Sequence, residues 1–243
     1  MMKIGIIGAG PIGATLSHKL FNNGHDVKIA DVRSVDRLKD KNISGKAVKV
    51  EDVVTNIDVL ILSLPTKIMS DIKDIISTVE DKVIIVDTSN YYPFRDDKID
   101  EIENGDVESE WVSQQIGRDV VKAFNNLLAY TLAEKGSPQG TDNRIAIAIS
   151  GNDDAQKDII KQLINEVGFD AVDNGKLSDS WKQQPGTPAY CTELTKSELT
   201  IALEKAHKQL APQLRDRVME YVTPDLTPED IVNLNRKIYN SGN

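Results

Sequence analysis

The chain alternates short apolar runs with stretches whose apolar residues recur at helical spacing. Lys3-Ile4-Gly5-Ile6-Ile7 has the pattern of a strand buried on both faces. Ile12, Leu16, Leu20 and Phe21 then follow a helical period, and Asp26-Val27-Lys28-Ile29-Ala30 predicts a second strand. Further strands are predicted at Lys46–Val50, Val59–Leu62, Val83–Val86, Val120–Asn125, Ile145–Ile149 and Phe169–Val172. Between them, helices are expected through Leu38, over Glu51–Thr55, through Ile68, Ile72, Ile75, Ile76 and Val79, around Trp111, Val112 and Ile116, and around Ile159, Ile160, Leu163, Ile164 and Val167. Residues 91–104 predict a charged loop. Such alternation implies an α/β fold with a doubly wound parallel sheet. Beyond Gly175 the pattern turns strand-poor and helical, so the expected division is a domain over 1–175 and a helical extension over 176–243. The last helix starts at Thr227-Pro228-Glu229-Asp230, with Pro at its first position and acids in its first turn. Its Ile231, Leu234 and Ile238 predict a face packed on the same domain or on a partner subunit.

Between the first strand and first helix lies Gly8-Ala9-Gly10-Pro11-Ile12-Gly13. Gly8 suits a tight turn out of the strand, Gly10 a close backbone approach to a pyrophosphate, and Gly13 close packing of helix on strand. Pro11 costs no hydrogen bond at a helix start. The amides that open the helix, with its positive dipole end, suit an anion. Asp31 lies eighteen residues past Gly13, near the ~20 expected for the acid that bonds ribose hydroxyls. Strand, glycine loop, helix, strand and acid in register form the context a dinucleotide fingerprint requires. The expectation is a Rossmann-type domain binding NAD or NADP.

Composition excludes several other classes. The formal charge of −9 and the lack of a basic tract argue against nucleic acid and acidic membranes as partners. No apolar run approaches the ~20 residues that span a bilayer, and the first strand begins too early to leave room for a signal peptide. With Cys191 the single cysteine, an intramolecular disulfide is impossible, which fits a cytoplasmic location. No His, Cys and acid cluster has metal-ligand spacing, and no Gly-x-Ser-x-Gly elbow occurs. His18, His25 and His207 are read as structural or solvated, and Cys191 as a lone buried thiol. No catalytic residue is identified.

With these residues in hand, the sequence resembles the F420-dependent NADP oxidoreductases and their bacterial NAD(P)-binding relatives. Four segments carry the likeness: the glycine loop, Ser63-Leu64-Pro65, Asp87-Thr88-Ser89-Asn90-Tyr91-Tyr92-Pro93 and Val121-Lys122-Ala123-Phe124-Asn125. Gln183-Gln184-Pro185-Gly186-Thr187-Pro188 matches more loosely. The resemblance implies that Ser63, Leu64 and Pro65 line the ribose and pyrophosphate, and that Thr88, Ser89, Asn90, Lys122, Phe124 and Asn125 lie near the nicotinamide. It also implies a flavin or coenzyme F420 as second substrate, or a small carbonyl compound, and a homodimer. Relatives using NADP often carry Ser and Arg just after strand two. Here Arg33 is present but Val32 lacks a hydroxyl, and Asp31 would repel a phosphate, so NAD is favoured. Arg33 remains able to bind a 2′-phosphate with its planar fork. Too few residues follow Gly175 for the helical domain of the larger hydroxyacid dehydrogenases, so Lys196 is read as a surface lysine. Because fold does not fix function, the alternative is a non-catalytic dinucleotide sensor or partner-binding protein.

Overall fold

The computed structural model describes residues 1–239. Residues 240–243, which the sequence assigns to the helical extension, lie outside the described residues. Strand β1 (Lys3–Ile7) leads through the glycine loop to α1 (Pro11–Asn22) and back to β2 (Asp26–Ala30). There follow β3 (Lys46–Ala47), α2 (Val50–Val53), β4 (Val59–Leu62), α3 (Lys73–Ile76) and β5 (Ile84–Asp87). Two single turns, α4 (Pro93–Asp96) and α5 (Asp100–Glu103), precede α6 (Glu108–Ile116) and β6 (Val121–Lys122). The six strands form one parallel sheet in the order 3-2-1-4-5-6. That order reverses beside β1, and there an open α/β sheet places its ligand.

Alternation along the strands explains the double winding. In β4, Val59 and Ile61 point into a core layer with Leu16 and Leu20 of α1, whereas Leu60 and Leu62 face Met69, Ile76, Trp111 and Val112. Successive side chains of a strand leave on opposite faces, so a run with no polar residue needs helices on both sides.

The chain continues through α7 (Ala129–Glu134), β7 (Ala146–Ile149), α8 (Asp154–Glu166) and β8 (Asp170–Asp173). These last two strands do not extend the six-stranded sheet. They pair only with each other, in parallel, and touch its edge through one antiparallel bridge between Lys122 and Ser150. Two other expectations are corrected. The helix predicted through Ile68 and Val79 is a 3-10 segment over 66–72 followed by the single turn of α3, and the helix through Leu38 is a 3-10 turn over 35–38. The apolar spacing survives in part: Ile72, Ile76 and Val79 are buried, Ile68 and Ile75 are half-buried, and Met69, outside the predicted set, is buried as well. The charged loop over 91–104 holds α4 and α5.

After another 3-10 segment over 177–183 come α9 (Lys196–Glu204), α10 (Ala211–Met219) and α11 (Pro228–Tyr239). The tail helix packs on its own chain. It buries Val232, Asn235, Ile238 and Tyr239, a face rotated from the predicted one, while Ile231 and Leu234 stay half-exposed. Asn235 Nδ2 donates to the Cys191 carbonyl at 3.1 Å, and Arg236 to the carbonyls of Thr192 and Glu193. Among the described residues no helix is long and apolar enough to cross a membrane.

Candidate dinucleotide site

Three loops leave adjacent strands at the same edge, and the strand ladders continue into them. Gly8 N–H donates to the Ala30 carbonyl at 2.8 Å, Ser63 N–H to Ile7 at 2.8 Å and Thr88 N–H to Leu62 at 3.2 Å. The loops after β1, β4 and β5 therefore start in register. They enclose a cleft of about 240 Å³ lined by Gly10, Pro11 and Ile12, by Ser63, Leu64 and Pro65, and by Thr88, Ser89, Asn90 and Arg95.

The glycines divide the work as their spacing predicts. A Cβ on Gly8, whose φ is +107°, would stand 2.1 Å from the Ser63 carbonyl oxygen, and one on Gly13 would stand 2.0 Å from that of Gly8. Both positions exclude any side chain. A Cβ on Gly10 meets nothing within 4 Å. The backbone at Gly10 thus faces open space at the start of α1, which no side chain caps. Uncapped first-turn amides beside a vacant backbone fit a diphosphate, with the positive end of the helix dipole toward it. The Ser89 Oγ, buried in the wall of the same cleft, has no hydrogen-bond partner. A bound polar group would satisfy it.

Toward β2 and β3 two hollows share Val32, Arg33 and Val50. One, of about 480 Å³, has Ile68, Ile72 and Ile75 with Val32 and Val50 along its wall and Arg33, Lys67 and Asp71 also lining it, an apolar face with a charged rim that suits a flat base. The other, of about 340 Å³, runs over Asp31, Arg33, Asp36, Lys49 and Glu51. Asp31 Oδ1 accepts the Arg33 N–H at 2.9 Å and lies 3.6 Å from Arg37 Nε. The acid is therefore oriented by its own turn, with the Arg37 guanidinium beside it. A further hollow, about 520 Å³ between the end of α1 and residues 136–139, lies at the opposite end of α1 from this site.

Lys122, Phe124 and Asn125 do not line the cleft. The Lys122 side chain is fully buried, with its Nζ 3.0 Å from Asp87 Oδ2 and donating to the Ser89 carbonyl. Phe124 adopts a left-handed backbone, φ +62°, and its ring joins the hydrophobic core. That turn delivers Asn125 to Asn90. Each amide group donates to the other residue at 3.0 Å. Gln183, a residue the sequence reading gave no site role, completes the network by donating to Asn125 Oδ1 at 2.8 Å and to the Ala148 carbonyl at 3.0 Å. These three residues position the loop of Ser89 and Asn90 from behind. Arg95 likewise has no site role in the sequence reading; it lies in the charged loop, two residues past the matching Tyr91-Tyr92-Pro93 segment.

Behind that loop, Glu108 accepts the Tyr91 N–H at 3.1 Å. Burial pushes its carboxyl up to about 7, opposed by the nearby Lys122 charge. Burial also pushes the Cys191 thiol up to about 12. Lys196, at the start of α9, is exposed. His18 bonds Ser44 and the Asn42 carbonyl, and His25 pairs with Glu166 at 2.6 Å, so both are structural. Among the described residues no three His, Cys, Asp or Glu side chains could hold a metal ion.

Comparison with known proteins agrees with this geometry. Residues 3–91 match the family model described as NADP oxidoreductase, coenzyme F420-dependent. The Escherichia coli protein YjhV is 34% identical over 104 residues, which cover 42% of this chain and 76% of that protein. The crystal structure of a Sinorhizobium meliloti protein, SMa0349, superposes with a TM-score of 0.68 at 33% identity, covering 81% of this chain and 96% of that one. A protein from Arthrobacter sp., provisionally described as an F420-dependent NADP reductase, shares the fold with a TM-score of 0.60 at 21% identity over 74% of this chain and 87% of that one. The chain belongs to the family of coenzyme F420-dependent NADP oxidoreductases and is an NAD(P)-dependent oxidoreductase.

Proposed function

We propose that the protein moves a hydride between a nicotinamide dinucleotide, laid across the start of α1, and a flavin- or deazaflavin-like acceptor held over the loop of Thr88, Ser89 and Asn90. The observation that carries this reading is the open face of Gly10 between two glycines whose Cβ positions are blocked. The α1 amides would hold the diphosphate, the slot of Ile68, Ile72 and Ile75 the adenine, and Ser63, Leu64 and Pro65 the nicotinamide-side ribose. A bound nicotinamide supplies the hydride. The chain's own contribution is to fix two rings face to face and keep water out. No carboxyl, imidazole or amine lines the central cleft among the described residues. That favours a ring acceptor over a small carbonyl compound, whose alkoxide would need a placed proton donor. Family membership sets the non-catalytic sensor aside.

Asp31 sets the choice of dinucleotide. Its oriented carboxylate would accept both ribose hydroxyls and repel a 2′-phosphate, so NAD is the proposed partner. The Arg37 guanidinium 3.6 Å from Asp31 and the presence of Arg33 in the same hollow support the second reading, NADP. Calorimetry with NAD⁺ and NADP⁺, followed by NADH or NADPH oxidation with flavins, deazaflavins and small carbonyl compounds, tests both parts. Absence of heat with either dinucleotide would remove the proposal. Turnover with carbonyl compounds alone would replace the acceptor.

A further inference from the structure

We infer that Arg95 selects an acceptor bearing an anionic group, a phosphate or carboxylate, and binds that group at the mouth of the central cleft. The inference rests on the hydride-transfer reading above and adds the charge of the second substrate to it.

Arg95 is the one charged residue lining the central cleft among the described residues. The chain as a whole carries a charge of −9, so the net long-range field repels a small anion and a local cation must hold it. The guanidinium is held from three directions. Nη2 donates to the Asn90 carbonyl, and Nε and Nη2 reach the Asp96 carboxylate at 3.3 and 2.8 Å. The group also lies 5.5 Å from the centre of the Tyr92 ring. Asp96 is itself buried, and its Oδ2 accepts the Tyr92 N–H at 3.0 Å, so the prop is rigid. Nη1 has no partner, and the side chain remains 43% exposed.

An arginine with no partner samples many rotamers. This one is pre-oriented by a buried acid with one edge of its donor fork left open, the arrangement that lowers the entropy cost of gripping a phosphate or carboxylate. Its place also separates two sources of anionic oxygen. The cofactor's diphosphate would sit at Gly10 on the α1 side, whereas Arg95 extends from the Thr88–Asn90 side, where the hydride-transfer reading puts the acceptor ring.

Flavin mononucleotide and riboflavin share one ring and differ by a phosphate, so they isolate this contact. Each is titrated by fluorescence quenching into protein saturated with the oxidised dinucleotide that binds it more tightly. The expected result is at least about tenfold tighter binding of the mononucleotide by the wild type. Arg95→Gln should erase the ratio, and Arg95→Lys should recover part of it. Dinucleotide affinity should stay within about twofold in each variant, since the diphosphate is held by α1. Because Arg95→Gln leaves Asp96 unpaired, the double variant Arg95→Gln/Asp96→Asn provides a folded control that should also lack the preference. Equal affinity for the two flavins, no binding of either, or a preference that survives Arg95→Gln would overturn the inference while normal dinucleotide binding leaves the cofactor reading intact. A tenfold loss of dinucleotide affinity in Arg95→Gln would overturn it too, by assigning Arg95 to the cofactor. If no dinucleotide binds, both readings fall.

Discussion

The Lys122 ammonium lies 3.0 Å from Asp87 Oδ2, with both side chains fully shielded from solvent. The two residues are also register partners on β5 and β6, so the sheet itself brings them together. Ser109 Oγ donates to the same carboxylate oxygen at 2.7 Å, and Asp87 Oδ1 accepts the Ser89 N–H at 2.8 Å. The pair ties two strands to the loop that forms the cleft wall.

Removing one partner strands the other. Lys122→Met should destabilise the protein by about 3–5 kcal/mol, the cost of a buried charge left uncompensated. Lys122→Met/Asp87→Asn should recover much of that loss. Urea unfolding of the two variants measures the difference, and equal losses would show that the pair is not coupled.

Gly10 and Gly13 should fail in different ways. Gly10→Val points into open space and should fold with little change in thermal midpoint, yet lose dinucleotide affinity on the order of tenfold or more. Gly13→Ala drives a Cβ to 2.0 Å from the Gly8 carbonyl oxygen and should cost about 1–3 kcal/mol of stability. Melting curves paired with calorimetric titration separate the two outcomes.

Glu108 should make stability fall as pH rises. Burial lifts its carboxyl from the ordinary 4.5 to about 7 in the folded protein. Below pH 4.5 both folded and unfolded states hold the proton and there is no penalty. Between 4.5 and 7 the unfolded state releases it first, so folding loses free energy until the folded group also ionises. Glu108→Gln abolishes this dependence. The stability of the variant relative to wild type should therefore improve by up to about 3 kcal/mol between pH 4.5 and pH 8. A constant difference across that range would contradict the shift.

Cys191 should be inert in the native protein. Its thiol is buried and raised to about 12, leaving almost no thiolate at neutral pH. An aromatic disulfide reagent should label it only as fast as the protein unfolds. Rapid labelling without denaturant would show an access path to the thiol.

The glycine loop, the first five strands and Asp31 were legible in the chain because each depends on local chemistry. An apolar run with no polar residue must be covered twice, and a glycine at a tight turn must be a glycine. The turn at the start of α1 followed from that pattern, whereas it was the family resemblance that pointed to Ser63, Leu64, Pro65, Thr88 and Asn90, which line one cleft. The acceptor end was less legible. Phe124 lies two residues past Lys122, and periodicity gives no sign that its backbone turns left-handed and buries the ring. Arg95 sits in a charged loop whose spacing does not reveal that Asp96 is buried beneath it.

The sequence by itself determined the doubly wound sheet and the glycine turn that opens α1, since strand burial and turn geometry act over a few neighbouring residues. Only the tertiary structure decided that Lys122 props the cleft from behind, that β7 and β8 leave the main sheet, and that Gln183 closes on Asn125 across 58 positions of chain. Those relationships join segments far apart in sequence through directional hydrogen bonds and a buried ion pair. No local spacing encodes such contacts, because each exists only after the core has set the separation of its two partners.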